Sequence, residues 1–412
     1  MRTNTVLISR MYEYRIYPFK NQQRILNRQL DLACDMYNSL LGLKQEIWKE
    51  TEKSLTKIDL DNIITELKAD NPNWKDIHSQ VLQNVSDRLS KAFDNFFRRV
   101  REKKSGKRIK VGYPRFKKHE RYKSITYPQS GFKFLSQKRL CVSNIGNIPI
   151  VLTRKIDGKV KTMTVKIKND KWYVVFCCNV DSDKKKRKHT FTDDKIIGID
   201  VGLTQYTKTS DDVTIDNPRY LMKSERKMKR LQRRVSRKVK GSNNRRKAVQ
   251  RLSLCHENIT NRRNDFLHKT SRFLSDTYDE IDVENLNING MLKNHKLAKY
   301  IADASWSKFL RMICYKVEET GGRFVVGDRF APTTQECSNC HSILKLSLSD
   351  RIYNCPICRI RIDRDLNAAK NIKNRAGQVR IYACGDSTST LRTKCNASRV
   401  VESRTTHGKN PL

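Results

Sequence analysis

Four cysteines near the C-terminal end of the chain have the type and spacing of a metal site. They form two Cys-x-x-Cys pairs separated by 14 residues, Cys337 with Cys340 and Cys355 with Cys358. Two such turns can direct four thiolates at one ion and complete a closed tetrahedral site, which is the structural kind of zinc site. The separation is slightly below the usual range of about 15–20 residues. We expect one structural Zn²⁺, and four reduced thiols in a hairpin are the alternative.

Acidic residues in three separate segments have contexts that suit the binding of divalent cations. Asp200 lies inside the apolar stretch IIGIDVG, and Glu284 ends the stretch EIDVE. Burying a carboxylate in such a strand is costly unless the group is paired or binds a metal. Asp363 and Asp365 open DRDLNAAKNI, a predicted helix whose first turn favours negative charge.

Each of these carboxylates also has a purely structural explanation. Asp200 could begin a turn, and Glu284 could be a solvated charge at the end of a strand. Asp363 or Asp365 could cap a helix. Together, however, three carboxylates on different elements of an α/β core could hold two Mg²⁺ ions about 3.5–4 Å apart and hydrolyse a phosphodiester.

The charge balance favours a polyanionic partner. Lys and Arg number 85 against 43 Asp and Glu, so the formal net charge is +42. Self-repulsion of this size opposes compaction unless a polyanion neutralises it, and binding nucleic acid releases counterions. A nuclease is therefore favoured over a kinase or phosphatase, with a ribosomal-type basic protein as the alternative. The sequence has no G-x-x-x-x-G-K-[ST] motif, which argues against a P-loop NTPase.

The apolar residues do not form a membrane or export signal. No run of about 18 apolar residues is present, so we expect no transmembrane helix. The first 20 residues lack the apolar core of a signal peptide. We therefore expect an intracellular protein whose 12 cysteines are reduced thiols or metal ligands.

Hydrophobic patterning predicts the elements of the N-terminal half. Residues 11–18 read as a strand, and helical patterns follow over 21–50 and about 58–103. Segment 105–128 mixes aromatic rings with cations, which suits stacking on bases and pairing with phosphates as well as a solvated linker. Short strands from about 131 to 180 favour a small barrel or sandwich that the N-terminal strand could complete.

The C-terminal half alternates strands and helices. A strand at KIIGIDVG opens a meander that turns at TSDD, and two long basic helices over 223–277 are broken near KGSNN. A strand at YDEIDVENLNI, a helix at WSKFLRMICYKVEETG and a strand at GRFVVGD follow. This alternation predicts an α/β core. The tail from about 377 has little periodicity and is expected to be disordered.

The order of these motifs resembles a known family. GIDVGLTQYTKTSDD, DVENLNINGM, the CSNC and CPIC pairs and DRDLNAAKNI follow one another as in TnpB, the transposon-encoded RNA-guided DNA endonucleases. Compact type V CRISPR effectors look similar. The segments YRIYPFKNQQRILNRQLDLACDMYNSLL and YPRFKK also resemble that family, so the resemblance spans about 11–376.

The resemblance implies a multidomain α+β protein. It would combine a RuvC/RNase H-like α/β nuclease core, carrying an inserted zinc ribbon, with an N-terminal wedge β-barrel interrupted by a helical recognition domain. The implied boundaries are 1–20 for the first wedge strand, 21–125 for the helical domain, 126–190 for the barrel, 191–330 for the first nuclease part, 331–361 for the ribbon, 362–376 for the third nuclease motif and 377–412 for the tail.

The resemblance also assigns the site residues. Asp200, Glu284 and Asp365 would be the catalytic triad and would bind two Mg²⁺ ions. In the Asp-x-Asp-x-Asn pattern of the family the second aspartate is the ligand, so Asp365 is preferred to Asp363. One departure is Arg359, where relatives often have a glycine that relieves a strained turn after the last cysteine.

The implied function is Mg²⁺-dependent cutting of double-stranded DNA next to a short adjacent motif. Guide RNA and target DNA would be the partners, pairing would supply sequence specificity, and a monomeric ribonucleoprotein in a bacterial or archaeal cytoplasm is expected. The alternatives are a compact type V CRISPR effector, an RNA-guided DNA-binding protein that does not cleave, and a zinc protein that binds nucleic acid without sequence preference.

Overall fold

The computed structural model describes residues 7–181, 187–329, 331–347, 350–385 and 401–402, with side chains as far as residue 376. Contacts divide these residues into two compact units. The N-terminal unit comprises 7–181 with 401–402, and the C-terminal unit comprises the remainder. None of the helices in the described ranges is both long enough and apolar enough to cross a membrane.

One sheet organises the N-terminal unit. Its strands follow the order β2-β6-β7-β1-β5-β4-β3, and β15 pairs with β1. The strands are β1 (Leu7–Ile16), β2 (Ser124–Tyr127), β3 (Phe132–Ser136), β4 (Arg139–Val142), β5 (Gly146–Val151), β6 (Lys159–Lys168), β7 (Lys171–Asp181) and β15 (Val401–Glu402). Strand β1 pairs with β7 along its whole length and with β5 at Arg15 and Ile16. The prediction that the N-terminal strand completes the later sheet is therefore confirmed, whereas a closed barrel stays a prediction.

Three helices lie between β1 and β2 in the chain. They are α1 (Lys20–Thr51), α2 (Lys57–Asp70) and α3 (Ser79–Lys104). A capping box between Thr56 and Asp59 begins α2, because each residue accepts the backbone N–H of the other. The apolar faces of these helices and the inner face of the sheet form one continuous hydrophobic core. The predicted helical domain thus shares its core with the strands that flank it.

A five-stranded mixed sheet organises the C-terminal unit. The order is β10-β9-β8-β11-β12, in which β8, β9 and β10 form an antiparallel meander. Strand β11 is parallel to β8, and β12 is parallel to β11. The strands are β8 (Ile196–Val201), β9 (Gln205–Thr209), β10 (Thr214–Asp216), β11 (Glu280–Val283) and β12 (Arg323–Val326). The predicted α/β core and the turn at TSDD are confirmed.

Five helices lie between β10 and β12 in the chain, namely α4 (Tyr220–Ser236), α5 (Asn243–Thr277), α6 (Ile288–Met291), α7 (Ala298–Ala304) and α8 (Trp306–Thr320). Helix α4 packs on α5. The break between α4 and α5 falls at KGSNN, as predicted. Ile197 and Ile199 of β8 pack in one core with Leu267 of α5 and Phe309 of α8. This face of the sheet is therefore filled by aliphatic and aromatic side chains.

The opposite face of β8 receives the last helix, α9 (Arg364–Gly385). Side chains alternate along a strand, so Gly198 and Asp200 face away from Ile197 and Ile199. A Cβ atom at Gly198 would lie 2.1 Å from the Ala369 carbonyl oxygen. The missing side chain is therefore what allows α9 to approach the strand so closely.

A small ribbon lies between β12 and α9 in the chain. Its strands β13 (Ile352–Asn354) and β14 (Arg361–Asp363) are antiparallel. The ribbon has a separate small core that includes Tyr353 and the four cysteines. Helix α9 continues beyond 376, where we predicted a disordered tail to start. The later tail residues, 386–400 and 403–412, lie outside the described residues.

We predict that Gly198→Ala lowers the free energy of unfolding by about 3 kcal/mol, because the added methyl group meets the backbone of α9. The matched control is Gly42→Ala in α1, where a Cβ meets nothing within 4 Å. That control should gain about 0.5–1 kcal/mol from helix propensity. Urea unfolding followed by circular dichroism measures both, and an unchanged midpoint for Gly198→Ala would contradict the packing described.

Candidate metal centres

The four predicted cysteine ligands converge. Their Sγ atoms all lie within 4.8 Å of one another. The Cys337 and Cys358 sulfurs are 3.5 Å apart, and those of Cys340 and Cys355 are 3.4 Å apart. Four thiolates around a zinc ion at about 2.3 Å have sulfurs roughly 3.8 Å apart. The set could therefore hold zinc with little rearrangement.

The two cysteine turns have the same backbone geometry. The N–H of His341 donates to the Cys337 carbonyl oxygen, and the N–H of Arg359 donates to that of Cys355. His341 has a φ of 60° and Arg359 a φ of 59°. This left-handed conformation favours glycine. Arg359 thus occupies the backbone position for which relatives often have glycine, and the sequence analysis did not identify the equivalent position at His341.

Hydrogen bonds favour the thiolate form of one cysteine, and the adjacent histidine is bonded to a glutamate. The Ser342 hydroxyl lies 3.1 Å from the Cys355 sulfur. This hydrogen bond, together with those from the backbone N–H groups of Cys358 and Ile357, lowers the pKa of Cys355 to about 5. A thiolate is the form of cysteine that binds metal. The His341 ring instead hydrogen-bonds to Glu336 through Nδ1 at 2.8 Å, which fits a residue beside the site and not a ligand.

The carboxylates predicted to bind cations lie on three elements that meet. Asp200 lies near the C-terminal end of β8. Glu284 follows β11, which runs parallel to β8 with Val283 opposite Ile199, so both carboxylates reach the same edge of the sheet. Asp365 lies in the first turn of α9, four residues before Ala369, which contacts Gly198 two residues before Asp200. The positions along strand and helix therefore bring Asp365 towards Asp200.

Burial and neighbouring carboxylates both affect Asp200. Burial together with the negative charges of Asp365 and Glu284 raises the pKa of Asp200 to about 7. Burial also raises the pKa of Glu284. The Arg364 guanidinium, 3.4 Å from Asp365 Oδ1, opposes the shift at Asp200 only in part. The nearby positive charge of Arg364 does not offset the repulsion among these carboxylates. A bound divalent cation would therefore stabilise them.

The carboxylates are more widely spaced than the thiols. Within the described parts of the chain, the four cysteines are the one group of three or more potential ligands whose atoms all lie within 4.8 Å of one another. Like charges that face each other without a cation repel. The carboxylate site therefore differs from the preformed, closed thiol site.

The two aspartates of the DRD stretch have different tasks. One Asp363 carboxylate oxygen accepts the backbone N–H groups of Asp365 and Leu366, each at 3.0 Å. These bonds make Asp363 the N-cap of α9. Helix capping, which we considered for either aspartate, thus applies to Asp363. The charge of Asp365 acts on Asp200 instead.

Two asparagines that sequence analysis missed connect the ribbon to α9. The buried Asn367 donates to the Glu336 carbonyl oxygen at 2.6 Å and accepts the Ser338 N–H at 2.9 Å. The buried Asn371 donates to the carbonyl oxygens of Thr333 and Glu336. The sequence did contain a sign of this role: the two asparagines are four residues apart, so they lie on one face of a helix whose neighbouring residues are small or apolar. The cysteine site and Asp365 are consequently held by one helix.

Comparison with known proteins identifies the family of this chain. Family models match residues 8–53 ("Helix-turn-helix domain"), 175–295 (OrfB_IS605, "Probable transposase") and 306–372 ("Cas12f1-like, TNB domain"). A Streptomyces pristinaespiralis protein named "Putative RNA-guided DNA endonuclease" is 31% identical over 386 residues, which cover 92% of each chain. The chain belongs to the TnpB family. The resemblance inferred from the motifs is confirmed.

Other TnpB relatives match less closely. The "TnpB-like protein L770" of Acanthamoeba polyphaga mimivirus is 26% identical over 87% of this chain and 71% of that protein. The "CRISPR-associated endodeoxyribonuclease Cas12f1" of Sulfoacidibacillus thermotolerans is 23% identical over 54% of this chain and 55% of that protein. Residues 8–53, matched as a helix-turn-helix, form strand β1 and one continuous helix α1 in the structure.

We predict that Arg359→Gly stabilises the ribbon by about 1 kcal/mol, because glycine adopts a positive φ without strain. Slower release of zinc to a chelator would report the gain. The control is Arg361→Gly, an exposed residue in strand β14, where glycine should destabilise the ribbon. Equal effects of the two substitutions would argue against strain at residue 359.

We predict that Asp200→Asn stabilises the metal-free protein above pH 7 by up to about 4 kcal/mol, since each unit of pKa difference between the folded and unfolded states corresponds to about 1.4 kcal/mol. The folded-state pKa of Asp200 is raised from 3.8 to about 7, so ionisation of this group costs stability as the pH rises through that interval. The gain should vanish near pH 4, where folded Asp200 is protonated. Thermal unfolding at several pH values measures it, and a pH-independent gain would contradict the assignment. Millimolar Mg²⁺ should stabilise the wild type and not the variant.

Proposed function

We propose that this chain is a transposon-associated, RNA-guided DNA endonuclease that cuts double-stranded DNA next to a short adjacent motif. The proposal is supported by the placement of Asp200 on β8, Glu284 after the parallel strand β11 and Asp365 in the first turn of α9, which packs on β8. It is also supported by a relative named "Putative RNA-guided DNA endonuclease", which aligns with 92% of this chain. Nucleases that act on phosphodiesters use carboxylates in this way. The sheet β8–β12 with α9 would be the RuvC-like core.

Asp200, Glu284 and Asp365 would hold two Mg²⁺ ions, and the four cysteines would hold one Zn²⁺. Bound divalent cations would activate water and stabilise the leaving oxygen of the phosphodiester. The chain itself raises the pKa of Asp200 to about 7, so below that pH a cation would have to displace a proton from this carboxyl group. Arg364 lies 3.4 Å from Asp365 and supplies a fixed positive charge at the same place. The Asn367 and Asn371 hydrogen bonds keep α9, and thus Asp365, in register with the ribbon.

Both the surface charge and the names of related proteins support nucleic acids as partners. Helix α4 exposes a dense set of cations to solvent, namely Lys227, Lys229, Arg230, Arg233 and Arg234. Such a surface suits contact with phosphates. Guide RNA and target DNA are the partners we propose, in a monomeric ribonucleoprotein of a bacterial or archaeal cytoplasm. The wedge sheet and the three N-terminal helices would read the adjacent motif.

Two alternatives are less well supported. A compact type V CRISPR effector would share the chemistry, but the Cas12f1 match covers only 54% of this chain. An RNA-guided protein that binds without cutting is expected to have lost one of the three acids, and all three are present here. Sequencing the RNA that copurifies from the native locus separates a transposon-end transcript from a CRISPR transcript. A random smear of RNA would favour a protein that binds nucleic acid without sequence preference.

We predict that Asp200→Ala, Glu284→Ala and Asp365→Asn each reduce guided DNA cleavage by roughly a thousandfold or more, about 4 kcal/mol of transition-state stabilisation. Binding of target DNA should persist, because these residues act on the phosphodiester and not on base pairing.

The matched control is Asp363→Asn, two residues from Asp365. Asparagine caps a helix as well as aspartate does, so cleavage should remain close to that of the wild type. Gel assays of cleavage with band-shift assays of binding measure both properties. Undiminished cleavage by Asp200→Ala would refute the nuclease assignment, and equal losses in both aspartate variants would refute the division of tasks between Asp363 and Asp365.

A further inference from the structure

Residues 107–118, between α3 and β2, form a segment without helix or strand that is nevertheless anchored to the N-terminal unit. We call this segment the strap. The Asn38 side chain clamps one end: its Nδ2 donates to the Lys117 carbonyl oxygen at 2.9 Å, and its Oδ1 accepts the Lys117 N–H at 2.8 Å. The Lys117 ammonium lies 3.7 Å from the centre of the Tyr37 ring. The lysine is thus turned inward as an anchor.

A second anchor holds the middle of the strap. The Tyr113 ring packs edge-on against Phe93 and Phe96 of α3, at centroid distances of 5.4 and 5.2 Å. Phe97 lies beside them, 5.1 Å from Phe96. Edge-to-face aromatic contacts of this kind add stability beyond the area that they bury. A solvated linker would need neither anchor, so the strap is held in one shape.

Rings and cations of the strap and of the neighbouring end of α3 are exposed to solvent. Phe116 of the strap is 58% exposed, Tyr113 is 45% exposed although it also packs on α3, and Phe97 of α3 is 48% exposed. Lys110, Arg115 and Lys118 are also exposed, and within the described part of the chain none of them has a salt bridge.

The surrounding sequence is unbalanced in charge. From 98 to 123 there are 13 Lys and Arg residues but only two acids, Glu102 and Glu120. Glu102 already pairs with Arg98 at 3.3 Å. Next to the strap, His119 contacts Asp35 and Asp31 of α1. Within 98–123, however, the acids are too few to balance the positive charge.

We propose that the strap is a binding site for single-stranded nucleic acid. Phe116 would stack on a base, and Arg115 and Lys118 would pair with the adjoining phosphates. Exposed rings between cations are the recurrent means of binding single strands, whereas bases in a duplex are already stacked on one another. The occupant we assign is an unpaired stretch of the guide RNA, which rests on the function proposed above.

The test uses the full-length protein freed of RNA, with fluorescein-labelled single-stranded RNA, single-stranded DNA of the same sequence, and a duplex as probes. Phe116→Ala should weaken binding of the single-stranded RNA about tenfold, because the variant cannot stack on the base. Phe116→Trp should preserve it. The control is Phe273→Ala on α5, a phenylalanine 49% exposed and thus similar in exposure, which should leave the affinity unchanged.

A charge variant tests the phosphate pairing separately. Arg115→Gln combined with Lys118→Gln should reduce the slope of log affinity against log salt by about 1.4, because each single-strand phosphate that is no longer neutralised accounts for about 0.7. Phe116→Ala should leave that slope unchanged, because a ring releases no counterions.

The outcomes separate the strap from the proposed function. A folded Phe116→Ala protein with wild-type affinity for every probe would overturn the strap site. A loss confined to the DNA probes would overturn the assignment to guide RNA. Wild-type protein that binds RNA through the strap but never cleaves guided DNA would overturn the proposed function alone, and wild-type protein that binds no RNA would overturn both.

Discussion

The close packing of helix α9 on strand β8 is the contact on which the candidate site depends. It is possible because Gly198 presents no side chain to the helix backbone. The same contact places Asp365 of the helix near Asp200 of the strand, while the parallel pairing of β8 with β11 supplies Glu284. Three residues that are far apart in the chain therefore share one electrostatic environment, which raises the pKa of Asp200 to about 7. A fold that retains such an unfavourable interaction is typical of a functional site.

Helix α9 also explains why a structural metal site adjoins the acidic residues. Its asparagines at 367 and 371 hydrogen-bond to the backbone of the first cysteine turn and its approach. Arg375 binds the Glu336 side chain on the same face. Binding of zinc would fold the ribbon, and the folded ribbon would then hold the helix that carries Asp365. The cysteine cluster and Asp365 are linked through a single helix without sharing a residue.

Sequence reasoning predicted the features that depend on local pattern. Residue type and periodicity were enough to predict the cysteine cluster and the apolar strands that contain Asp200 and precede Glu284. They also predicted the turn at TSDD and the break at KGSNN. It did not predict the features that depend on contacts between distant segments. Whether Asp363 or Asp365 caps the helix is decided by backbone geometry, and the need for glycine at 198 is decided by Ala369. Periodicity likewise shows which face of each N-terminal helix is apolar, but not that these faces share one core with the sheet.

The most direct test of the central claim is the location of bound divalent cations. Crystals of the protein with its guide RNA and uncleaved target DNA, soaked in Mn²⁺, allow anomalous scattering to locate the ions. The account predicts peaks within ligand distance, about 2.0–2.3 Å, of carboxylate oxygens of Asp200, Glu284 and Asp365. Peaks elsewhere in the complex, with none bridged by these three residues, would contradict it.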